Sequence, residues 1–226
     1  MKKIIGVLAI ALVATGLFAK TWTNNVGVGF ALPINKFEYD YKKAGQSVTF
    51  KQTQISYDVQ GLYLGYHENG FTVRGSFDLG IGTIKDMWGD ENGIGVNLKE
   101  QIGVGYSFIR SEKFVLALTG GLGLQETIFP REDKVVYGTE SLTRNRTVTS
   151  LMLNIGADLT ALVRFSEKFG MFFNMHAGFV PFGKVYKEEK IEGSSKSSSS
   201  STTVNTDYDL KKTYTITPSV GVVWTF

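Results

Sequence analysis

Residues 71–82 alternate without a break. Phe71, Val73, Gly75, Phe77, Leu79 and Ile81 form one series, and Thr72, Arg74, Ser76, Asp78, Gly80 and Gly82 form the other. A side-chain period of two belongs to a strand with two unlike faces, not to the 3.6-residue stripe of a helix. The same period recurs through Leu98, Ile102, Val104, Tyr106 and Phe108, then through Phe114, Leu116, Leu118, Leu122 and Leu124. It continues in Leu151, Leu153, Ile155, Leu159, Val163 and Phe165, in Phe169, Met171, Phe173, Met175 and Phe179, and in Tyr214, Ile216, Val220, Val222, Trp224 and Phe226. Near the front, Val26, Val28, Phe30 and Leu32 keep the same phase. Residues 55–66 alternate less cleanly: the apolar phase slips between Val59 and Leu62, which predicts a bulge around Gly61. Eight strands are expected.

The connections alternate in length. Short turns are predicted at 67–70, 110–113 and 166–168, and long polar links at 34–48, 84–94, 126–147 and 183–211. Short turns on one side of a sheet and long loops on the other are the layout of an up-and-down transmembrane barrel.

Met1, Lys2 and Lys3 precede an apolar run over residues 4–18 and a small residue at Ala19, the order of a secretory leader. Cleavage after Ala19 leaves 20–226 as one barrel domain. The run has roughly 15 residues, short of the about 20 that a spanning helix needs. The chain has no cysteine, which excludes a disulfide framework, a thiolate metal site and a lipid-modified cysteine. Removing Lys2 and Lys3 from the formal charge of +3 leaves +1, too little basic excess to track nucleic-acid phosphates. No later run is apolar enough for a spanning helix, so any membrane insertion must use strands.

Alternation alone also fits a soluble barrel with its apolar face inside. Three features favour the membrane. Aromatics stand at the short-turn ends of the strands (Trp22, Tyr66, Phe71, Phe108, Phe114, Phe165, Phe169 and Phe226), as in an interface girdle. The opposite face is rich in Gly, Ser, Thr and Asn, which suits a narrow lumen better than a soluble exterior. The final strand ends Ser219-Val220-Gly221-Val222-Val223-Trp224-Thr225-Phe226. Its polar residue, glycine two places on, hydrophobic residue and terminal aromatic resemble the outer-membrane assembly signal.

Leader, eight alternating strands and this ending together resemble the small outer-membrane barrels of the OmpW, OmpX and OmpA type, spirochaetal ones included. The resemblance implies an all-β, eight-stranded antiparallel barrel in outer-membrane lipid, monomeric, with a periplasmic N-terminus and extracellular loops. It implies that Ser219, Gly221, Trp224 and Phe226 are read by the barrel-assembly machinery. It offers two roles: passage of small apolar solutes, or a structural or adhesin barrel presenting loops to a host surface ligand. Neither role uses a cofactor or a metal.

The inward phase carries Arg74, Asp78, Lys99, Gln101, Asn154, Asp158, Arg164, Asn174 and His176. Asp78 and Lys99 lie on sequential strands at similar height, within reach of a buried ion pair. Such groups either plug an eight-stranded lumen or line a narrow polar conduit, and the pattern leaves both open. So charged a lumen departs from the greasy conduit that an OmpW-like role implies. Pro33 ends the first strand, Pro181 ends the seventh and Pro218 lies within the eighth, on staves that become neighbours when the barrel closes. Each lacks a ladder donor, so this wall either opens sideways or merely frays where strands leave the membrane.

An enzyme is not expected. His67 falls in a turn, and His176 faces inward with Asp158 as its available partner, but no His-x-Ser pattern occurs and neither Ser76 nor Ser150 is forced close. The acidic patch Asp86, Asp90 and Glu91 lacks the spacing of a calcium loop and is expected to be a solvated link. The serine-rich run at 194–203 cannot bury enough apolar area to order itself and is expected to be mobile.

Overall fold

The computed structural model describes residues 21–43, 46–85, 92–137, 140–195 and 198–226. The leader and the patch Asp86, Asp90 and Glu91 lie outside them. The described chain forms ten strands: β1 Trp22–Ala31, β2 Ile34–Lys43, β3 Gln46–His67, β4 Phe71–Lys85, β5 Asn92–Arg110, β6 Phe114–Tyr137, β7 Glu140–Arg164, β8 Phe169–Ser195, β9 Ser198–Asp209 and β10 Thr213–Thr225. β1 and β2 lie end to end against β3, and β9 and β10 lie end to end against β8. These two pairs are single staves, so the ring has eight. All pairings are antiparallel, and β10 closes the ring on β1 and β2.

The alternation sorts the faces as the period requires. Val26, Val28 and Phe30 of β1 point out, while Asn25 and Ala31 point in. Phe30, Tyr57, Ile81, Ile94 and Leu122 are exposed on the outer belt, where hydrocarbon takes the place of a protein core. At the turn end, Trp22 meets Phe71 at 5.9 Å, Phe169 meets Trp224 at 5.8 Å and Tyr106 meets Phe108 at 5.5 Å, which makes the aromatic girdle. The turn before β4 depends on Gly70, whose φ of 96° is a left-handed conformation. A Cβ there would also strike Arg110 and Tyr106.

Several expectations are corrected. β3 has no bulge at Gly61, which pairs with Val28 and Phe77 in unbroken ladders. The apparent slip arises because Leu62, Leu64 and Tyr66 are apolar residues on the inward phase. Tyr66 is therefore a lumen residue and not part of the girdle. The true irregularities lie elsewhere: around Phe108 in β5, and where Val180 and Pro181 of β8 together oppose Asn154 of β7.

The long polar links are largely strand. β2, β6, β7, β8 and β9 run far into them, and Ser198–Asp209 pairs with β8 where a mobile loop was expected. Hairpin partners there satisfy each other's backbone, helped by a small buried apolar cluster that includes Phe37, Val185 and Leu210. Thr202, Thr203, Val204, Thr206 and Tyr208 also supply β-favouring residues. Pro33 interrupts a stave and does not end it, and Pro181 sits inside β8 at the bulge.

Candidate functional site

The lumen is filled in layers. Nearest the turns, Leu62, Leu64, Tyr66, Val115, Ala117, Leu162, Phe172 and Val223 form a buried apolar stopper. Glycines opposite Phe172 make room for its ring. A Cβ on Gly221 would lie 2.6 Å from Phe172 Cε1 and would overlap the Val28 carbonyl oxygen. Below the stopper, at the turn-end mouth, Arg164 donates to Asn25 Oδ1 at 3.1 Å and to Tyr66 Oη at 2.8 Å. Arg164 thus belongs to the mouth and is separated from the other lumen charges.

Above the stopper Asp158 is the hub of a charged layer. Its carboxylate pairs with Arg74 Nη2 at 3.2 Å and lies 3.2 Å from His176 Nδ1. It also accepts from Gln101 Nε2 at 2.6 Å and Asn174 Nδ2 at 3.2 Å. Four staves converge here because Asp158 and His176 are direct cross-strand partners and Arg74 and Gln101 point inward from β4 and β5. Arg74 and Asp158 are each 1% exposed. At this burial a charge that loses its partner is costly, so the pairing holds the layer together.

A third layer extends toward the loops. Gln60 Nε2 donates to Asp78 Oδ1 at 2.8 Å, Gln125 Nε2 to Asn97 Oδ1 at 2.8 Å and Asn97 Nδ2 to Asp58 Oδ2 at 2.5 Å. Asp78 and Lys99 are cross-strand partners, as their heights predict. Yet Lys99 Nζ reaches instead to Thr217 Oγ1, 3.3 Å away on β10, and Asp78 Oδ2 has no hydrogen-bond partner. Arg74 and Asp158 form an ion pair in this lumen, which Asp78 and Lys99 do not. Asp58, Gln60, Asn97, Gln125 and Thr217 were missed in the sequence. Asn97 shares the inward phase of Lys99 and Gln101, Gln125 alternates with the apolar series that ends at Leu124, and Asp58 and Gln60 lie in the stretch whose phase slips in the sequence.

The two histidines are accounted for structurally. His67 packs against Trp22 with ring centroids 5.8 Å apart, and His176 serves the Asp158 hub. Ser76 Oγ accepts from Arg74 and Ser150 Oγ bonds Thr127 Oγ1.

Besides the two bulges, the wall changes character at the seam between its first and last staves. β1 pairs with β10 from Asn25↔Thr225 to Ala31↔Ser219, and β2 resumes in the same register at Ile34↔Ile216. Between them Leu32 N donates to the Pro218 carbonyl at 2.9 Å, while Pro33 and Pro218 have no N–H to give. The ladder ends at Lys36↔Tyr214. Beyond it one backbone bond, from Lys211 N to the Glu38 carbonyl at 2.7 Å, still joins the first and last staves, while the strand ladders of β2 and β9 run on β3 and β8. Pro181 occupies the bulge further toward the loops.

A crystal structure of a major outer membrane protein from Thermus thermophilus superposes on this ring with a TM-score of 0.52, covering 88% of this chain and 99% of that one at 12% identity. The fold is that of a small outer-membrane β-barrel. The outer membrane protein OprG of Pseudomonas aeruginosa is also similar, with a TM-score of 0.49, 14% identity and coverage of 92% and 97%. So is Ail of Yersinia pestis, at 0.41, 14%, 91% and 99%. No protein-family model matches the chain, and no curated protein matches it in sequence. In the barrel, Ser219 and Gly221 stand within β10, while Trp224 and Phe226 turn outward at the girdle.

Proposed function

We propose that the protein resides in the outer membrane as a monomeric barrel, its turns periplasmic and its loop end outside, and that it passes small apolar molecules sideways into the lipid. The observation that carries this reading is the seam. The apolar stopper and the Asp158 layer fill the route along the axis, whereas the ladder between first and last staves breaks at Leu32–Pro33 and Thr217–Pro218 and ends soon above. Missing ladder bonds lower the cost of parting two strands.

A cysteine pair tests it. The chain has no cysteine, and Phe30 and Val220 are direct cross-strand partners on the outer face beside the break. In the variant Phe30→Cys/Val220→Cys, which keeps Pro33 and Pro218, oxidation should stop uptake of an apolar dye into proteoliposome membranes, and reduction should restore it. Unchanged uptake in the oxidised form means that the route is not the seam.

A second reading has its own observation. β6, β7 and β8 have 24, 25 and 27 residues, where about 9–11 cross a membrane. The β6–β9 sheet therefore stands well clear of the lipid as a platform for a host surface ligand. Trimming both hairpins back to the membrane should abolish adhesion while sparing solute uptake.

A further inference from the structure

Asp158 offers its two carboxylate oxygens to different partners. Oδ1 accepts from Asn174 Nδ2 and pairs with Arg74 Nη2, each at 3.2 Å. Oδ2 stands 2.6 Å from Gln101 Nε2 and 3.2 Å from His176 Nδ1, and those two nitrogens are themselves 3.0 Å apart. The three atoms form a triangle whose corners are all within hydrogen-bonding reach. Gln101 must present its nitrogen here, because with the amide reversed two acceptor oxygens would face each other.

His176 Nδ1 has one position to offer, either a lone pair or a hydrogen. With a lone pair it accepts from Gln101, whose two amide hydrogens then serve the ring and the carboxylate together. With a hydrogen it donates to Asp158 Oδ2, and the Gln101 amide is left facing an N–H. The two states exclude each other. The ring cannot step aside to reconcile them, because its Cε1 lies against Gly156 and its Nε2 against Gly178, so close that a Cβ on either glycine would overlap it. Gln101 can move, since Gly103 on its own strand and Gly121 and Gly123 on β6 leave the lumen beside it without side chains. Among the described residues, the charged groups facing the ring are Asp158 from β7, Arg74 from β4 and Lys99 from β5. Asp78 of β4 lies opposite Lys99, and the uncharged Thr217 of β10 lies opposite His176.

We propose that His176 is a proton-operated switch in the layer that fills the lumen. Neutral, it accepts from Gln101 and lets that side chain tie β5 to the Asp158 hub. Protonated, it takes Asp158 Oδ2 for itself and releases the Gln101 amide. The proton comes from water and returns to it, and no bond between heavy atoms changes. Acid thereby removes the strut from β5 and loosens the charged layer, whichever route solutes take through the wall.

NMR of isotope-labelled protein in nanodiscs, from about pH 8 down to about pH 4 across the range in which imidazoles titrate, tests it. At the alkaline end His176 should carry its hydrogen on Nε2 and leave Nδ1 bare. On acidification both ring nitrogens should become protonated, and the Gln101 side-chain amide signals should shift with the same midpoint. In Gln101→Met the contested oxygen is vacated, so the neutral ring should move its hydrogen to Nδ1. In His176→Leu the shift of the Gln101 amide should vanish, which separates the ring from a titration of Asp158 itself. Both variants are checked for folding by their migration before and after boiling, and the wild-type titration decides even where a variant does not fold. A hydrogen on Nδ1 at every pH in the wild type overturns the switch, as does a ring that stays neutral throughout. So does a Gln101 signal that ignores the ring's protonation or that still shifts in folded His176→Leu. A bare Nδ1 in folded Gln101→Met overturns it as well.

Discussion

Lys99 Nζ crosses the lumen from β5 to donate to Thr217 Oγ1 at 3.3 Å, and Thr217 is the residue beside Pro218 in the seam. The polar filling of the barrel is thereby tied to its weakest wall. A hydrogen bond from a charged donor contributes about 1.5–3 kcal/mol, which is tenfold or more in an opening equilibrium. In the wild type, the amides of Thr217, Ser219 and Val220 should exchange faster than those near Asp78 and Gln101. Lys99→Met should accelerate the seam amides further and more than the others. Equal protection at these sites in the wild type would leave the barrel a uniform closed wall.

Asp158 receives Arg74, His176, Gln101 and Asn174, so its removal strands several buried groups at once. Breaking a buried pair from one side costs about 3–5 kcal/mol. Asp158→Leu and Arg74→Met should each lower stability by this order in urea titrations followed by gel migration. The double variant should cost clearly less than the two together, because neither member of the pair is left behind without the other. Strict additivity would mean that the two side chains do not act as a pair.

The membrane-embedded half of this fold was legible because the period of two determines both strand and face, and the residues named as lumenal are in large part those that the ring turns inward. Two physical facts hid the rest. The apolar residues Leu62, Leu64 and Tyr66 belong to a stopper inside the barrel, so the rule that separates a greasy outside from a polar inside fails there and resembles a change of phase. The strands toward the loop end have only a small, scattered set of packed apolar residues, such as Phe37, Val185 and Leu210; much of their order comes from backbone pairing between hairpin partners, which composition does not encode. The Lys99 partner was equally hidden, since Thr217 is 118 residues away and becomes a neighbour only by closure of the ring.

Leu118 and Thr119 are adjacent on β6 and point to opposite sides: Leu118 is 44% exposed on the outer belt and Thr119 is buried in the lumen. Leu118→Arg should cost about 2–4 kcal/mol in refolding into lipid vesicles, as a cation near the middle of the bilayer does. Thr119→Arg should leave the lipid contact alone and act through the lumen, shifting detergent stability without changing vesicle partitioning. Equal behaviour of the two variants in both media would mean that the faces are reversed.

Two of the C-terminal residues that resemble an assembly signal, Gly221 and Phe226, should behave differently when changed. Gly221 lies against Phe172 and β1 so closely that any Cβ overlaps the Val28 carbonyl. Gly221→Val therefore forces the closing strands apart and displaces the apolar stopper, a defect of the folded state itself. Phe226 is 77% exposed at the rim, so its removal sacrifices little burial. Refolding from urea into detergent, followed by the change in migration on boiling, reads the first effect, and the fraction of folded protein in cell envelopes reads the second. Gly221→Val should fail in both. Deleting Phe226 should leave detergent refolding near wild type and reduce folded protein in the envelope several-fold, because recognition of the unfolded chain precedes any packing the aromatic makes. Normal envelope levels after that deletion would show that the terminal aromatic is only part of the girdle. A refolding defect as severe as that of Gly221→Val would show that it is a structural closure of the ring.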